Sequence, residues 1–444
     1  MPGAIADPPI VVHSADLVVP MTAPPIQGGA VAVQGGRILH VGTRAWVLDL
    51  LREEGRDAVE RRTDGALLPG LINAHTHLQY TRMAQVGAGR YRGFDDWADA
   101  FTLVYEQGQD WADAAREGTA RLLAAGVTAA ADVVTDRAAV AALADAGLHG
   151  IAYWEVMNWT NAAWRRGGRD QVVTELERVP TTPGSGLSPH APYSLDAEPL
   201  LDIPDIVRAH GGRLHIHLGE SHFEGARLTG PDGESHLDWR FAGVESFRAL
   251  RSAGYGASAT EFVDRLGVLG PDCHVAHGVY MAAEDRALLR ARGTSVALCP
   301  RSNEVIGLEA PPIAAYLREG SPIAVGTDSL ASSPSLDPMA DVALLARIAR
   351  EQGYAADDLH ERLLAAATFG GARAMGVDIG RDRLGHLAVG AVADLAGFAM
   401  AVGSVADALA ELVEAAPTER LAVVAGVVRH DGPAVPDEWS EEDG

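Results

Sequence analysis

Two histidines, His75 and His77, close a short apolar run, Pro69-Gly-Leu-Ile-Asn-Ala-His-Thr-His-Leu-Gln79. In a strand, residues two apart project from one face. A His-x-His pair at a strand end therefore aims two imidazoles at one point, and neutral imidazole is a ligand for zinc and similar metals. A second such pair ends Arg213-Leu-His-Ile-His-Leu-Gly-Glu220. There only His217, nearer the strand end, need reach the metal, and His215 is expected to lie buried beside the ligands. Asp328, in Val325-Gly-Thr-Asp-Ser329, is the fourth candidate ligand, with one oxygen for the metal and the other for its water. Three histidines and one carboxylate suit zinc or ferrous iron better than magnesium or calcium. One such divalent ion per subunit lowers the pKa of its water to about 7 and so supplies hydroxide at neutral pH.

Hydrolysis also needs a group that carries protons to the leaving side. Glu220, three residues past His217, is placed for that task. His277, in Cys273-His-Val-Ala-His-Gly278, is a candidate to orient or polarise the attacking water, while His274 reads as structural.

The elements around these residues account for their convergence. From Ala66 to about Gly376, strand-like runs alternate with alanine- and arginine-rich helical stretches. Candidate strands are Leu67–Ala74, Val127–Val133, Gly150–Trp154, Gly186–Pro189, Arg213–Leu218, Cys273–Ala276, Thr294–Leu298 and Ile323–Thr327. Eight strands alternating with helices predict an α/β fold, a (β/α)8 TIM-like barrel, with its chemistry at the C-terminal strand ends. The predicted ends carry His75 and His77, Asp132, Glu155, His190, His217 with Glu220, His277, Cys299 to Asn303, and Asp328. Nearly every end bears a group that can ligate or titrate.

The flanks have a different texture. Residues 10 to 66 read as short strands with glycine turns, a hairpin at Gly35-Gly36 and a helix from Arg44 to Glu53. After Gly380, Leu384–Leu387, Val389–Leu395 and Leu421–Arg429 read as strands, and Val405–Glu414 as a helix. Neither flank is large enough for its own core. Residues 1–66 and 379–444 are therefore expected to join as a small composite β-sandwich beside a barrel of 67–378. The acidic tail from Asp437 is expected to fray.

Composition removes several functions. The formal net charge of -24 over 444 residues argues against a nucleic-acid binder, which needs a basic surface, and against an anionic membrane. Two cysteines, Cys273 and Cys299, form neither a disulfide framework nor a CxxC site, which fits a reducing cytoplasm. The N-terminus lacks a signal-peptide pattern, and no apolar run reaches membrane-spanning length. There is no lysine in the chain. That excludes a Schiff-base lysine, a P-loop lysine and a carbamylated lysine bridging two metals.

Together these motifs resemble the amidohydrolase superfamily, in particular its nucleoside and nucleobase deaminase branch. The matching stretches are Pro69–His77, Ser188-Pro-His-Ala-Pro-Tyr-Ser194, His217-Leu-Gly-Glu220, Ala276-His-Gly278 and Gly326-Thr-Asp-Ser329. The resemblance implies that His75, His77, His217 and Asp328 bind one metal, most simply zinc. It implies that Glu220 protonates the ring nitrogen beside the attacked carbon, and that His277 and Asp328 handle the water. It also implies a substrate role for His190, and family members are often dimers or larger.

Leu298-Cys-Pro-Arg-Ser-Asn303 and Gly326 to Leu336 look most like aminodeoxyfutalosine deaminases, which act on a purine nucleoside with a benzoate on its 5′ side. Arg301, Asn303 and Ser329 belong to these stretches. Arg301, Arg82, Arg90 and Arg92 are all candidates for reading such a carboxylate. Phe94 and Trp97 could stack on a purine or pack in the core of the next helix. The stretch from Ser221 to Phe241 reads as a lid. Alternatives are an adenosylhomocysteine, methylthioadenosine or adenosine deaminase, a guanine- or triazine-type ring hydrolase, and a non-catalytic metal-binding barrel.

Overall fold

The computed structural model describes residues 8–224 and 241–439. The chain begins with β1 (Ile10–Val18), β2 (Ile26–Gln27), β3 (Gly29–Gln34), β4 (Arg37–Thr43) and β5 (Ala58–Pro69). Gly35 and Gly36 turn β3 into β4 at φ 56° and 79°, the left-handed pair that a two-residue hairpin demands. The Arg44–Glu53 helix lays Val47 and Leu51 on this sheet.

The barrel follows, with β6 (Leu71–Thr76), β7 (Val127–Val134), β8 (His149–Val156) and β9 (Ser185–Pro189) as its first half. Its second half is β10 (Arg213–Leu218), β11 (Cys273–His277), β12 (Ser295–Leu298) and β13 (Ile323–Val325). These eight strands pair in chain order and in parallel. β6, β7, β11, β12 and β13 are buried at every residue, because helices cover the outside and side chains fill the inside.

The chain returns through β14 (Leu395–Ala399), β15 (Glu419–Val424) and β16 (Val427–Pro433). β14 pairs antiparallel with β5, so N- and C-terminal segments form one continuous mixed sheet of eight strands. Its core, with Val31, Ile38, Leu67, Leu387, Leu395 and Val423, draws on both segments. No helix among the described residues is long and apolar enough to cross a membrane.

Four expected strands and the tail differ. The single strand Leu67–Ala74 is two strands that part at Gly70, which passes so close to Thr128 that a Cβ there would sit 2.1 Å from its hydroxyl. Leu67 to Pro69 thus belong to the outer sheet. Leu384–Leu387 and most of Val389–Leu395 form no strand. Except for exposed Val389, their large apolar side chains are buried, but Gly385 and Gly390, both at φ 80°, turn the backbone before a ladder can run. Leu421–Arg429 is a hairpin, with Ala425-Gly426 at its turn. The tail is docked as far as Trp439, since Glu438 donates its N–H to Pro334 (2.9 Å) and Asp437 pairs with Arg301.

The first and last barrel strands meet at the site. Thr76 and Asp328 form a parallel bridge, and the N–H groups of Thr327 and Asp328 both donate to the His75 carbonyl, at 3.1 and 3.0 Å. Gly326 permits this approach. A Cβ there would lie 2.7 Å from the His75 Cβ and 2.8 Å from the Cys299 sulfur.

Candidate metal centre and active-site cavity

His75 ends β6, His77 follows it, and His217 lies in β10, so parallel strand ends bring three imidazoles together. The Nε2 atoms of His77 and His217 are 3.2 Å apart. Asp328 Oδ1 lies 3.6 Å from His75 Nε2 and 3.7 Å from His77 Nε2. His75, His77 and His217 form one group whose ligand atoms all lie within 4.8 Å of one another, and His75, His277 and Asp328 form another.

The residues fit a cation. His75 Nε2 is buried with no hydrogen-bond partner, a costly state unless something else occupies its lone pair. The opposite nitrogens of His75 and His217 have partners elsewhere. His217 Nδ1 donates to the His190 carbonyl (2.9 Å). His75 Nδ1 meets His215 Nε2 at 3.0 Å, and His215 Nδ1 meets Ser188 Oγ at 3.4 Å. The His190 carbonyl fixes the His217 tautomer with an unprotonated Nε2 toward the centre, as supporting contacts around metal ligands do. His215 is fully buried and stacks on His75, and His274 bonds the Ala74 carbonyl instead (2.9 Å).

Burial favours the neutral form of His77, His217, His190 and His277. Burial and the surrounding histidines lower His77 to about 3 and His217 well below its usual value. Burial lowers His190 and His277 to about 4. Burial opposes ionisation of Asp328, but the histidines around it outweigh that and hold it well below the carboxylate range. Its Oδ2 accepts the hydroxyls of Ser302 and Ser332, both at 2.8 Å. Asp328 and His277 both adopt left-handed backbone, at φ 60° and 73°. Such strain in non-glycine residues is concentrated at functional sites.

Glu220 stands 3.5 Å from His277 Nε2. Burial, then Asp328, Glu224 and Glu155, push its carboxyl well above the ordinary range, which favours the protonated form. His277 Nδ1 is bonded to Asn303 Oδ1 (3.2 Å), which leaves its buried Nε2 with a free lone pair. An acid whose surroundings favour the proton thus stands 3.5 Å from a base whose surroundings favour the neutral form.

Above this floor opens a cavity of about 800 Å³, bordered by His77, His190, His217, Glu220, Asp328 and Ser329. Its walls are aromatic. Trp97, Phe101 and Tyr105 come from the helix Phe94–Tyr105, Trp154 and Trp159 from β8 and the segment after it, and Phe241 stacks on His190 at 5.3 Å. Trp97 and Phe94 both line the cavity and both pack on the core, with the Trp97 Nε1 donating to Ala331 O (2.8 Å).

The structure does not bring the expected arginines here. Among the described residues no arginine lines the cavity. Arg301 turns outward to Ser335 (2.8 Å) and Asp437. Arg82 pairs with Glu117 and Asp113, and Arg92 with Asp96, at the surface. Asn303 is buried outside the lining and reaches the site only through His277. Most of the expected lid, residues 225–240, lies outside the described residues. Ser221 to Glu224 form a buried turn.

Two strand-end carboxylates have roles the sequence did not assign. Asp132 accepts the Leu78 N–H (2.9 Å) and so holds the turn after His77. Glu155 borders the cavity, 3.7 Å from His217 Nδ1, with one buried oxygen unpartnered and its carboxyl raised to about 8 by burial and then Asp328. Their strand-end placement was the only signal.

The chain belongs to the amidohydrolase family, whose model matches residues 66–428. It is 27% identical over 398 residues to a 5-methylthioadenosine/S-adenosylhomocysteine deaminase of Moorella thermoacetica, covering 85% of this chain and 83% of that one. Among solved structures it superposes on an adenosine deaminase of Xanthomonas campestris with bound zinc, at TM-score 0.77 and 23% identity over 98% of this chain and 96% of that one. It also superposes on the aminofutalosine deaminase of Helicobacter pylori in complex with methylthio-coformycin, at TM-score 0.77 and 17% identity over 94% of this chain and all of that one (100%). At these identities the superpositions speak to fold.

Proposed function

We propose that this chain is a metal-dependent hydrolytic deaminase of 6-aminopurine nucleosides, converting an adenosine-type to an inosine-type compound with release of ammonia. Its first candidate substrate is aminodeoxyfutalosine, converted to futalosine in menaquinone biosynthesis. The observation that carries the reading is the pairing of buried Glu220 with buried His277, 3.5 Å apart, beside His75, His77, His217 and Asp328, where burial favours the protonated acid and the neutral base. The deaminase names of its relatives support it.

His75, His77, His217 and Asp328 would hold one divalent ion, for which zinc is the first candidate. When bound, such an ion acidifies a water at neutral pH. The aromatic walls hold the flat purine. Glu220 gives its proton to N1 as the water oxygen adds to C6. His277 Nε2 accepts one proton of the water and passes it to the amino group, which leaves C6 as ammonia while Glu220 takes back the proton of the new C6 hydroxyl. Positioned acid–base groups of this kind contribute about 10²–10⁴ in rate.

A second reading rests on the same lining. A cavity of about 800 Å³ with several aromatic side chains suits a second ring on the 5′ side, as in aminodeoxyfutalosine. The lack of a lining arginine among the described residues suits an uncharged 5′ group, as in methylthioadenosine. The test is ammonia release together with the adenine-to-hypoxanthine absorbance change on metal-loaded protein. Aminodeoxyfutalosine, adenosylhomocysteine, methylthioadenosine, adenosine, guanine and a chlorotriazine are compared side by side. A kcat/KM at least about tenfold higher for aminodeoxyfutalosine, a difference of about 1.4 kcal/mol, supports the first reading. Preference for methylthioadenosine supports the second. Chloride release, or turnover of guanine alone, overturns both.

A further inference from the structure

The turn that carries Glu220 is held by one side chain that contacts neither the cavity nor the metal-ligand cluster. β10 ends at Leu218, and Gly219 leaves it in left-handed backbone at φ 69°. The next three N–H groups have no partner in a strand or helix. All three converge on the carboxylate of Glu224. Gly219 N–H donates to Oε1 at 2.8 Å, and Glu220 and Ser221 N–H donate to Oε2 at 2.9 and 3.0 Å. The Ser221 hydroxyl adds a longer contact at 3.4 Å.

Glu224 is 2% exposed and sits on the single turn His222–Glu224, whose own N–H bonds Ser221 O at 3.0 Å. From the other side, the Gly219 carbonyl accepts the N–H groups of Val279 and Tyr280, both at 2.9 Å, just past His277. The peptide planes on either side of Glu220 are therefore fixed, one against the β11 end and one against Glu224. A buried carboxylate tolerates burial only when donors surround it, and here the donors are the backbone of the proton carrier.

We propose that Glu224 is a positioning residue that sets Glu220 at its working distance from His277. This rests on the reading of Glu220 as the proton carrier. Backbone anchoring of this kind decides rate more than affinity, because a displacement of about 1 Å at a reacting group costs about 10²-fold.

The experiment places Glu224→Gln in the wild-type and in the Glu220→Gln backgrounds, on metal-loaded full-length protein. The amide keeps the size of the side chain but turns one acceptor into a donor facing an N–H. In the wild-type background kcat is expected to fall by about 10²-fold, with KM and metal content unchanged. In the Glu220→Gln background the further loss is expected to stay within about twofold, since residues acting as a unit are not additive. Glu224→Asp, which keeps the charge but shortens the reach, is expected to lose less. It carries the same two-background test if the glutamine variant does not fold.

Full kcat in Glu224→Gln, loss of metal with it, or losses that multiply in the double variant would each overturn the proposal. Full turnover in Glu220→Gln alone would instead overturn the functional reading on which it rests.

Discussion

The ends of β10 and β13 each carry a buried carboxylate, and their surroundings prepare them for opposite tasks. Asp328, after β13, has two serine hydroxyls on one oxygen and histidines near the other, and it is held ionised. Glu220, after β10, lies buried among other carboxylates, which raise its pKa and favour the protonated form. Residue type does not separate them, since both are acids on strand ends. What separates them is the count of donors around each. Two acids whose environments push their pKa values apart mark the acid and base assignments of a site. The pair teaches that donors around Asp328 favour a cation ligand, and that their scarcity around Glu220 favours a proton donor.

The comparison can be broken at either end. Asp328→Ala is expected to have the largest effect, with metal content and ammonia release both falling to the detection limit. Retention of one metal per subunit would remove Asp328 from the ligand set. Glu220→Gln should keep its metal and lose about 10²–10⁴ in kcat. In the wild type, activity should decline on the alkaline side as Glu220 gives up its proton, and a pH–rate profile checks this. A metal loss in Glu220→Gln would erase the contrast between the two acids.

A smaller change sharpens the contrast. Ser302→Ala removes one of the two hydroxyls on Asp328 Oδ2 and should weaken metal affinity by about tenfold, at the low end of the 10–100-fold cost of losing a supporting contact. Competition with a chelator measures it. The smallest effect concerns the metal-free protein. Unfolded, His77, His190 and His277 take up a proton near pH 6.5. Folded, burial keeps them neutral down to about 3 to 4. Below pH 6.5 the unfolded chain therefore binds more protons at these three groups, and their contribution to stability is lost as pH falls. These histidines pull Tm down from pH 7 to pH 5 against the opposite pull of Glu155 and Glu220, so His190→Asn should lessen any acid-side fall of Tm in the metal-free protein.

Much of this was legible in the sequence because the barrel writes itself plainly. A parallel strand buried on both faces is a short apolar run between glycines, so Arg213–Leu218 was read to the residue and Val127–Val134 within one. The cluster of His75, His77, His217 and Asp328 was legible because strand ends converge by topology. Side-chain direction beyond the strand ends was not. Arg301 sits in the expected stretch, yet its guanidinium finds Asp437 more than a hundred residues later. Glu224 lay inside a stretch read as a lid, and nothing local says that three amides will need its carboxylate. Leu384 to Leu395 read as strands from their apolar residues, but burial there is achieved without a ladder.

The meeting of β6 with β13 has a consequence for how the molecule is made. Thr76 and Asp328 touch across 252 positions of chain, so the seam that completes the barrel is among its most non-local contacts. Contacts of this separation form late and slowly in folding, because a long loop must close first. The proposed metal-ligand cluster is assembled from both sides of that seam. Until the last strand is made and docked, the nascent chain presents three histidines without their aspartate. The site cannot mature before the barrel shuts. An ion held there clasps the two ends of the barrel's long central stretch, so loading should slow unfolding more than it speeds folding.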